Sequence, residues 1–528
     1  MGMLHLMVFW LLGSALGASF SWGVPLNVNF QTRVQRECSF TRYPSLCQNT
    51  LMELKDHPLH IISALVNKTI SETNLPSTYF QTLSSQLEIQ DAQLAKSSTD
   101  YCEKLMKMSL KQLDRSLLAL KESPRKNKND IQTWLSAALT FQQACKDSTA
   151  GVLNSKISSK MDYLSQLTSN PLALVNRITS NNVKLKNNTR SRPLDGQVED
   201  FPKWVSAKDR KILQSGTIKA NAVVAKDGTG NYKTISEAIK AAGGGRFVIY
   251  VKLGVYKEKI RTNKDGITLI GDGKYSTIIA GDDSVAGGSS MPDSATFTIT
   301  GDGFIARDIG FQNTAGPGGK QALALYIASD HSALYRCSIA GYQDTLYALA
   351  LRQFYRECDI HGTVDFIFGN AAAVFQNCYL VLRRPHGGAY NVILAHGRTD
   401  PGQSTGFSIQ NCRIAASSDF SPIKHSFNSY LGRPWKQYSR SVVMESSIDD
   451  AISSRGWVEW PGAGSYAKTL YFAEFSNTGP GAGTSRRVNW PGFHVIGVEE
   501  AVKFTVGNFI AGTSWLPSTG VTFVSGLH

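Results

Sequence analysis

Two rhythms of apolar and polar positions divide this chain. Between about residues 30 and 180, apolar residues recur at i, i+3, i+4 and i+7 with polar residues between them, the period of an amphipathic helix. Tyr79–Ser97 (YFQTLSSQLEIQDAQLAKS), Tyr101–Ser123 (YCEKLMKMSLKQLDRSLLALKES) and Asp130–Ser148 (DIQTWLSAALTFQQACKDS) carry the pattern, the last with Asp130 placed as an N-cap. Few glycines interrupt this half. Four amphipathic helices with short links predict an all-α four-helix bundle.

From about Asn221 the grammar changes: glycine becomes frequent, and short β-branched runs appear, among them FVIYV, ITLIG, TFTIT and AVFQNC. A quasi-repeat runs through FQNT (311–314), LYRC (334–337), FYREC (354–358), FQNC (375–378) and IQNC (409–412). A short period of this kind, with several short strands per repeat, predicts an all-β solenoid coil.

That period gives a meaning to two aspartates. Asp344 in YQDTLY and Asp365 in TVDFIFGN stand one 21-residue step apart, and so do Cys337 and Cys358. Residues one coil apart stack at about 4.8 Å, so the two carboxylates are expected on one face of neighbouring coils. Gln321 precedes Gln343 by a step of nearly the same length and extends a polar ladder along that face. Two carboxylates so close cannot both ionise easily; one is pushed up, and the pair divides into acid and base. Such a pair suits general acid–base or nucleophilic chemistry, and neighbouring amides suit an oxyanion. Asp365 itself is expected within a buried strand. Arg433 in LGRPW offers a bidentate partner that keeps a carboxylate ionised, and Trp435 a platform for a sugar ring. Trp457 and Trp460 either line the same groove or pack in the core.

Composition adds compartment and partner. The sequence opens on a short apolar run ending in small residues, a signal peptide over about 1–22 with cleavage expected between Gly17 and Gly23. Nothing later is apolar enough to span a membrane. Eight cysteines in an exported chain favour disulfides over metal ligands. Cys38–Cys47 is expected as a local bridge, Cys102–Cys145 as a tie between helices and Cys337–Cys358 as a tie between coils; pairing of Cys378 with Cys412 stays open. Sequons at Asn67 and Asn187 are candidate glycosylation sites. The formal charge is +14, which points to an acidic partner. Of it, +9 precedes Gln214 and +5 follows. No basic stripe interleaves with aromatics, so nucleic acid is not expected. A polar stretch over 181–213 reads as a linker, closing on the dibasic Arg210-Lys211-Ile212-Leu213, a candidate processing site.

Two competing signals fail on context. GQSTG (402–406) matches a nucleophile elbow, but a turn precedes it and a strand-like run follows where a helix is required. His331, His361, His386, His396 and His425 show no metal-ligand spacing; His361, near Asp365, is read as structural.

Five stretches in order, GVYKE (254–258), QALAL (321–325), YQDTLY (342–347), GTVDFIFGN (362–370) and LGRPW (431–435), make the second half resemble plant-type pectin methylesterases, esterases on a right-handed parallel β-helix. The first half, through CSFTRYPSLC and the Cys102/Cys145 pair, resembles the pectin methylesterase/invertase inhibitor domain. The resemblance implies a helical pro-domain over 30–180 and a catalytic β-helix over 214–528, with a processing protease acting after Leu213. It implies Asp365 as nucleophile on the galacturonate methyl ester and Asp344 as proton donor and then base. Gln321 and Gln343 would hold the oxyanion and Arg433 would orient Asp365. Thr296, Gln321, Arg433 and Trp435 would contact pectin. No cofactor, metal, nucleic acid or membrane is implied, and the expected state is a secreted monomer of the cell wall, with the inhibitor-like bundle acting in cis or in trans. Leu323 stands for the usual valine of the second motif, and His396 where glutamine or asparagine is commoner. A β-helix depolymerase would show NTD, GHG and RIK signatures, which are absent; an inert binding solenoid would not need the Asp/Asp/Arg/Gln set.

Overall fold

The computed structural model describes residues 26–54, 60–75, 79–80, 82, 92–149, 154–179 and 220–528. The signal segment, most of the Tyr79–Ser97 stretch, the 181–213 linker with its dibasic site, and Asn187 lie outside the described residues.

The first half is helical: α1 (Leu26–Cys38), α2 (Pro44–Met52), α3 (Ile61–Thr73), α4 (Ala92–Glu122), α5 (Lys128–Ser148) and α6 (Asn154–Asn176). Helices α3 to α6 pack as the expected four-helix bundle, α4 against α5, α5 against α6, and α3 against both α4 and α6. Its core forms from the i, i+3, i+4 stripe, with Leu113, Ile131, Leu135, Leu139 and Leu172 buried. Disulfides Cys38–Cys47 and Cys102–Cys145 form as the sequence suggests, the first joining α1 to α2 and the second α4 to α5. Asn67 is exposed on α3. Asp130 is not the N-cap of α5; Asn127 takes that position. Asp130 stands in the first turn, and its carboxylate binds Arg352 of the second half at 2.7 Å.

The second half is a parallel β-helix of three sheets, with 11, 7 and 8 strands, every named pair parallel. The seven-stranded sheet matters for function. Its strands are β1 (Ile260–Thr262), β2 (Phe297–Ile299), β3 (Leu325–Ala328), β4 (Leu346–Ala350), β5 (Ile367–Gly369), β6 (Asn391–His396) and β7 (Ser429–Pro434). Leu325, Leu346, Ile367 and Leu394 stack in register and point into the solenoid core. The next residues, Tyr326, Tyr347, Phe368 and Ala395, point outward. A capping-box helix, Ile235–Ala241, sits beside the first strands of the 11-stranded sheet, and short C-terminal helices pack Val506, Ile510 and Trp515 on the outside of that sheet.

Cys337 and Cys358 are not bridged, contrary to the sequence expectation; both are free thiols, as are Cys378 and Cys412. The four occupy the same corner of successive coils, each one residue after a left-handed Arg336, Glu357, Asn377 or Asn411. Their side chains face inward, and Cys358 and Cys412 accept hydrogen bonds from the amides of Cys337 and Cys378, at 3.4 and 3.3 Å. The thiols thus serve as small apolar fillers and weak acceptors in a stack.

Candidate active site

The two aspartates occupy corners. Asp365 lies between the strand Asp359–Gly362 and β5, and Asp344 lies between Ser338–Ala340 and β4. Neither is inside a strand, which corrects the sequence expectation for Asp365. Both adopt left-handed backbone, φ +59° for Asp344 and +50° for Asp365, a conformation that Asp and Asn tolerate better than other non-glycine residues. Leu346 pairs in register with Ile367, the same step that separates the two aspartates. The Asp344 amide donates to the Val364 carbonyl at 3.0 Å. The predicted juxtaposition of the carboxylates on neighbouring coils is therefore met by the fold.

Arg433 reaches the pair from β7, whose register aligns it with Ala395 and so with the outward row of Phe368. Its Nε donates to Asp365 Oδ1 at 2.8 Å and Nη2 to Oδ2 at 2.5 Å, a bidentate clamp. Its remaining arm donates to the Tyr390 hydroxyl at 2.9 Å, and the guanidinium lies over the Trp460 ring at 4.3 Å. Of the two tryptophans left open by the sequence, Trp460 thus lines the site. Trp457 is buried in the solenoid and donates to Glu474.

The electrostatics separate the carboxylates. Burial pushes the Asp344 carboxyl well above the usual range, and the neighbouring Asp365 charge adds to it against a smaller opposing pull from Arg433. Burial raises Asp365 too, but the Arg433 charge and its hydrogen bonds pull it back. Among the described residues Asp344 has no such clamp, so the shared proton belongs on Asp344 and the negative charge on Asp365.

Gln321 and Gln343 are half-buried at the corners that precede β3 and β4. The Gln343 carbonyl accepts from the Ala322 amide at 3.2 Å. The register of β3 on β4 places Gln321 opposite Tyr342, one position short of Gln343. Thr296 is buried, and its hydroxyl is committed to the Gln312 carbonyl at 3.0 Å. Trp435 is half-buried, edge-on to Phe368 at 5.9 Å. Gly397 makes that placement possible, since a Cβ there would lie 2.7 Å from Trp435 Cε3. His361 is half-buried on the adjoining eight-stranded sheet, where desolvation lowers its pKa to about 4; it stays neutral at ordinary pH.

Sequence reasoning missed an aromatic row along the same face. Tyr326 meets Tyr347 at 5.0 Å, and Tyr347 stacks parallel on Phe368 at 4.3 Å. Each pairs in register with the next, one coil on, so the coil period contained the signal. Tyr390 had none. The row is covered by the helical half: Phe80, Met106 and Phe141 pack with Tyr326, Tyr347 and Phe368 in one cluster. The Tyr101 and Tyr326 hydroxyls lie 3.0 Å apart. Around that apolar contact run polar ties, Arg42 to Asp400 at 3.0 Å, Lys111 and Arg115 to Asp302 at 3.0 and 2.8 Å, and Lys436 to Asp147 at 2.6 Å.

Comparison with known proteins agrees with both halves. The Pectinesterase family model matches residues 221–513, and the plant invertase/pectin methylesterase inhibitor model residues 32–174. A probable pectinesterase/pectinesterase inhibitor of Arabidopsis thaliana is 51% identical over 96% of both chains. Pectinesterase 2 of Citrus sinensis is 46% identical over 88% of this chain and 91% of its own. Among solved structures, the pectin methylesterase from carrot superposes with a TM-score of 0.58 at 52% identity, covering 60% of this chain and all of its own. The chain belongs to the pectinesterase family and carries an inhibitor-like helical domain ahead of its β-helix.

Proposed function

We propose that this protein hydrolyses the methyl esters of galacturonate in pectin, with Asp365 as nucleophile and Asp344 as acid and then base. The observation that carries the assignment is the asymmetry of the pair: Asp365 is clamped by Arg433, while among the described residues Asp344 has no counter-ion hydrogen bond. The Asp365 carboxylate attacks the ester carbonyl carbon and gives a tetrahedral oxyanion, which we assign to the Gln321 and Gln343 amides. Collapse breaks the carbon–methoxy bond, and Asp344 gives its proton to the departing oxygen, releasing methanol. An anhydride now joins Asp365 to the galacturonate C6. Asp344, ionised, takes a proton from water, and the hydroxide adds to C6 and expels the Asp365 carboxylate. The products are methanol and a galacturonic acid, and both aspartates return to their starting states. Each turnover adds a carboxylate to the polymer, which suits a protein of charge +14. We assign Trp435 and Trp460, the latter under the Arg433 guanidinium, as the platforms for sugar rings.

The helical half is read as autoinhibitory in cis, because it covers the aromatic row leading to Arg433. Cleavage after Leu213 by a processing protease would free that face. Export to the cell wall follows from the apolar opening and from the two disulfides of the bundle. The test is methanol release from highly esterified pectin by residues 214–528 beside an Asp365→Ala copy. Methanol from the parent alone, with polymer length unchanged, is expected. Equal release from both would overturn the role of Asp365, and none from a folded parent would overturn the esterase.

A further inference from the structure

Between the helical half and the β-helix lies a cavity of about 390 Å³, bordered by the GRTDPGQSTG turn. Its helical wall is made by Asn129, Gln132, Thr133 and Asn176, and its floor includes Arg398 and Arg440. Arg398 is buried and Arg440 half-buried, and among the described residues neither forms an ion pair with a carboxylate. Arg398 donates from Nε to the Gln403 carbonyl at 3.0 Å and from Nη2 to the Pro401 carbonyl. Arg440 donates from Nε to the Thr405 carbonyl at 2.6 Å and from Nη2 to the Gln403 carbonyl at 3.3 Å. In each, Nη1 has no acceptor among the described residues, so part of each fork remains to be used.

The surrounding carboxylates are engaged elsewhere. Asp400, the acid nearest Arg398 along the chain, accepts from Arg42 at 3.0 Å and from the Ser169 hydroxyl at 2.7 Å. Glu500, the acid on the cavity wall, is held by Lys503 at 2.5 Å and accepts from the Tyr471 hydroxyl. Arg352, also on the wall, is already neutralised by Asp130 and Asp330. His396, whose Nδ1 accepts from the Arg440 amide at 3.2 Å, is kept neutral by burial and by the two arginines. Arg398, which feels the Asp400 charge without an ion pair to it, and the half-buried Arg440 thus face the cavity with part of each guanidinium unused. Burial of an uncompensated charge is costly, and the cost is visible in Arg398 and Arg440, both pushed below the usual arginine range by desolvation.

We propose that this interdomain cavity is a binding site for a compact anion, a carboxylate or tetrahedral oxyanion received by Arg398 and Arg440. The helical amides close it, so the complete site exists only while the bundle is docked. Two sources carry this chemistry, a free inorganic oxyanion and a uronic acid such as the reaction's own product. The inference rests on the cavity alone and stands whether or not the helical half inhibits.

Titration calorimetry on the full chain decides it, with sodium phosphate and sodium galacturonate as separate ligands at constant ionic strength. Saturable one-to-one binding of either anion is expected, weakened at least tenfold in Arg440→Gln and in Asn129→Asp. The second variant places a carboxylate at the exposed mouth of the cavity and leaves the buried layer intact, so it decides the matter if the first fails to fold. Binding of phosphate alone would identify a free oxyanion as occupant, and binding of galacturonate alone a uronic acid. The absence of saturable binding by both, or affinity in Asn129→Asp equal to the parent's, would overturn the site.

Discussion

Asp344 carries a cost that its proposed role explains. Its folded-state pKa is raised by burial and by Asp365, so its contribution to stability is full below the unfolded carboxylate pKa and is lost as pH rises through the folded value. Asp344→Asn removes that liability. At pH 7 the variant should melt at a higher temperature than the parent, and the difference should vanish below about pH 4, where the unfolded carboxyl is also protonated. Methanol release should fall by about 10²–10⁴-fold, the usual range for a lost general acid–base. Calorimetry across pH beside an activity assay checks both halves of this expectation. Arg433 acts in the opposite sense, since its charge and hydrogen bonds pull Asp365 down against burial. With Arg433→Gln, Asp365, the proposed nucleophile, should stay protonated to higher pH, moving the acid limb of the kcat/KM profile upward. A variant whose activity fell uniformly at all pH values, with the limb unmoved, would show that Arg433 does not set the ionisation of Asp365.

At the level of strands and corners, the coil period was the legible part. The FQNT-to-IQNC quasi-repeat implies the solenoid, and the spacing of Asp344 and Asp365 then implies the paired site, because identical corners recur once per coil. The same arithmetic applied to Tyr326, Tyr347 and Phe368 would have given the aromatic row. It went unread because an aromatic inside a strand looks like core until inward and outward positions are separated. Asp365 was read into a strand because its neighbours Val364 and Phe366 are apolar; only the left-handed φ marks the corner. The cysteine spacing was read correctly as stacking but wrongly as a bridge, since equal spacing places thiols in one stack without pairing them. Tyr390 and Trp460 come from longer excursions of the chain, where no period operates. The fit of Trp435 over Gly397 gives an expectation at this scale. Gly397→Ala would put a Cβ against the indole and tilt the platform without touching the aspartates. In the chain freed of its helical half, KM for pectin should rise several-fold with kcat nearly unchanged. A fall in kcat at constant KM would show that the displacement reaches the carboxylates instead.

For the whole molecule, the distribution of charge decides how the halves meet. The excess of +9 before Gln214 is used in part on acids of the β-helix, Arg42 on Asp400 and Lys111 with Arg115 on Asp302. These ties surround the apolar contact over Tyr326, Tyr347 and Phe368, so the cover over the site is fixed at its rim by ions and at its centre by packing. Rim pairs of this kind respond to salt and to charge reversal more than buried contacts do. Lys111→Glu with Arg115→Glu would set two negative charges against Asp302, which keeps its own, and should lift that edge of the bundle. If the bundle inhibits in cis, the uncut double variant should release methanol several-fold faster than the uncut parent, and adding Asp302→Lys should return the rate toward the parent's. The return separates a lost contact from a damaged bundle, because a misfolded helical half could not be repaired from the other side of the interface. An uncut parent already as fast as the cleaved enzyme would remove inhibition from the reading and leave the helical half a folding aid or a partner of the interdomain cavity.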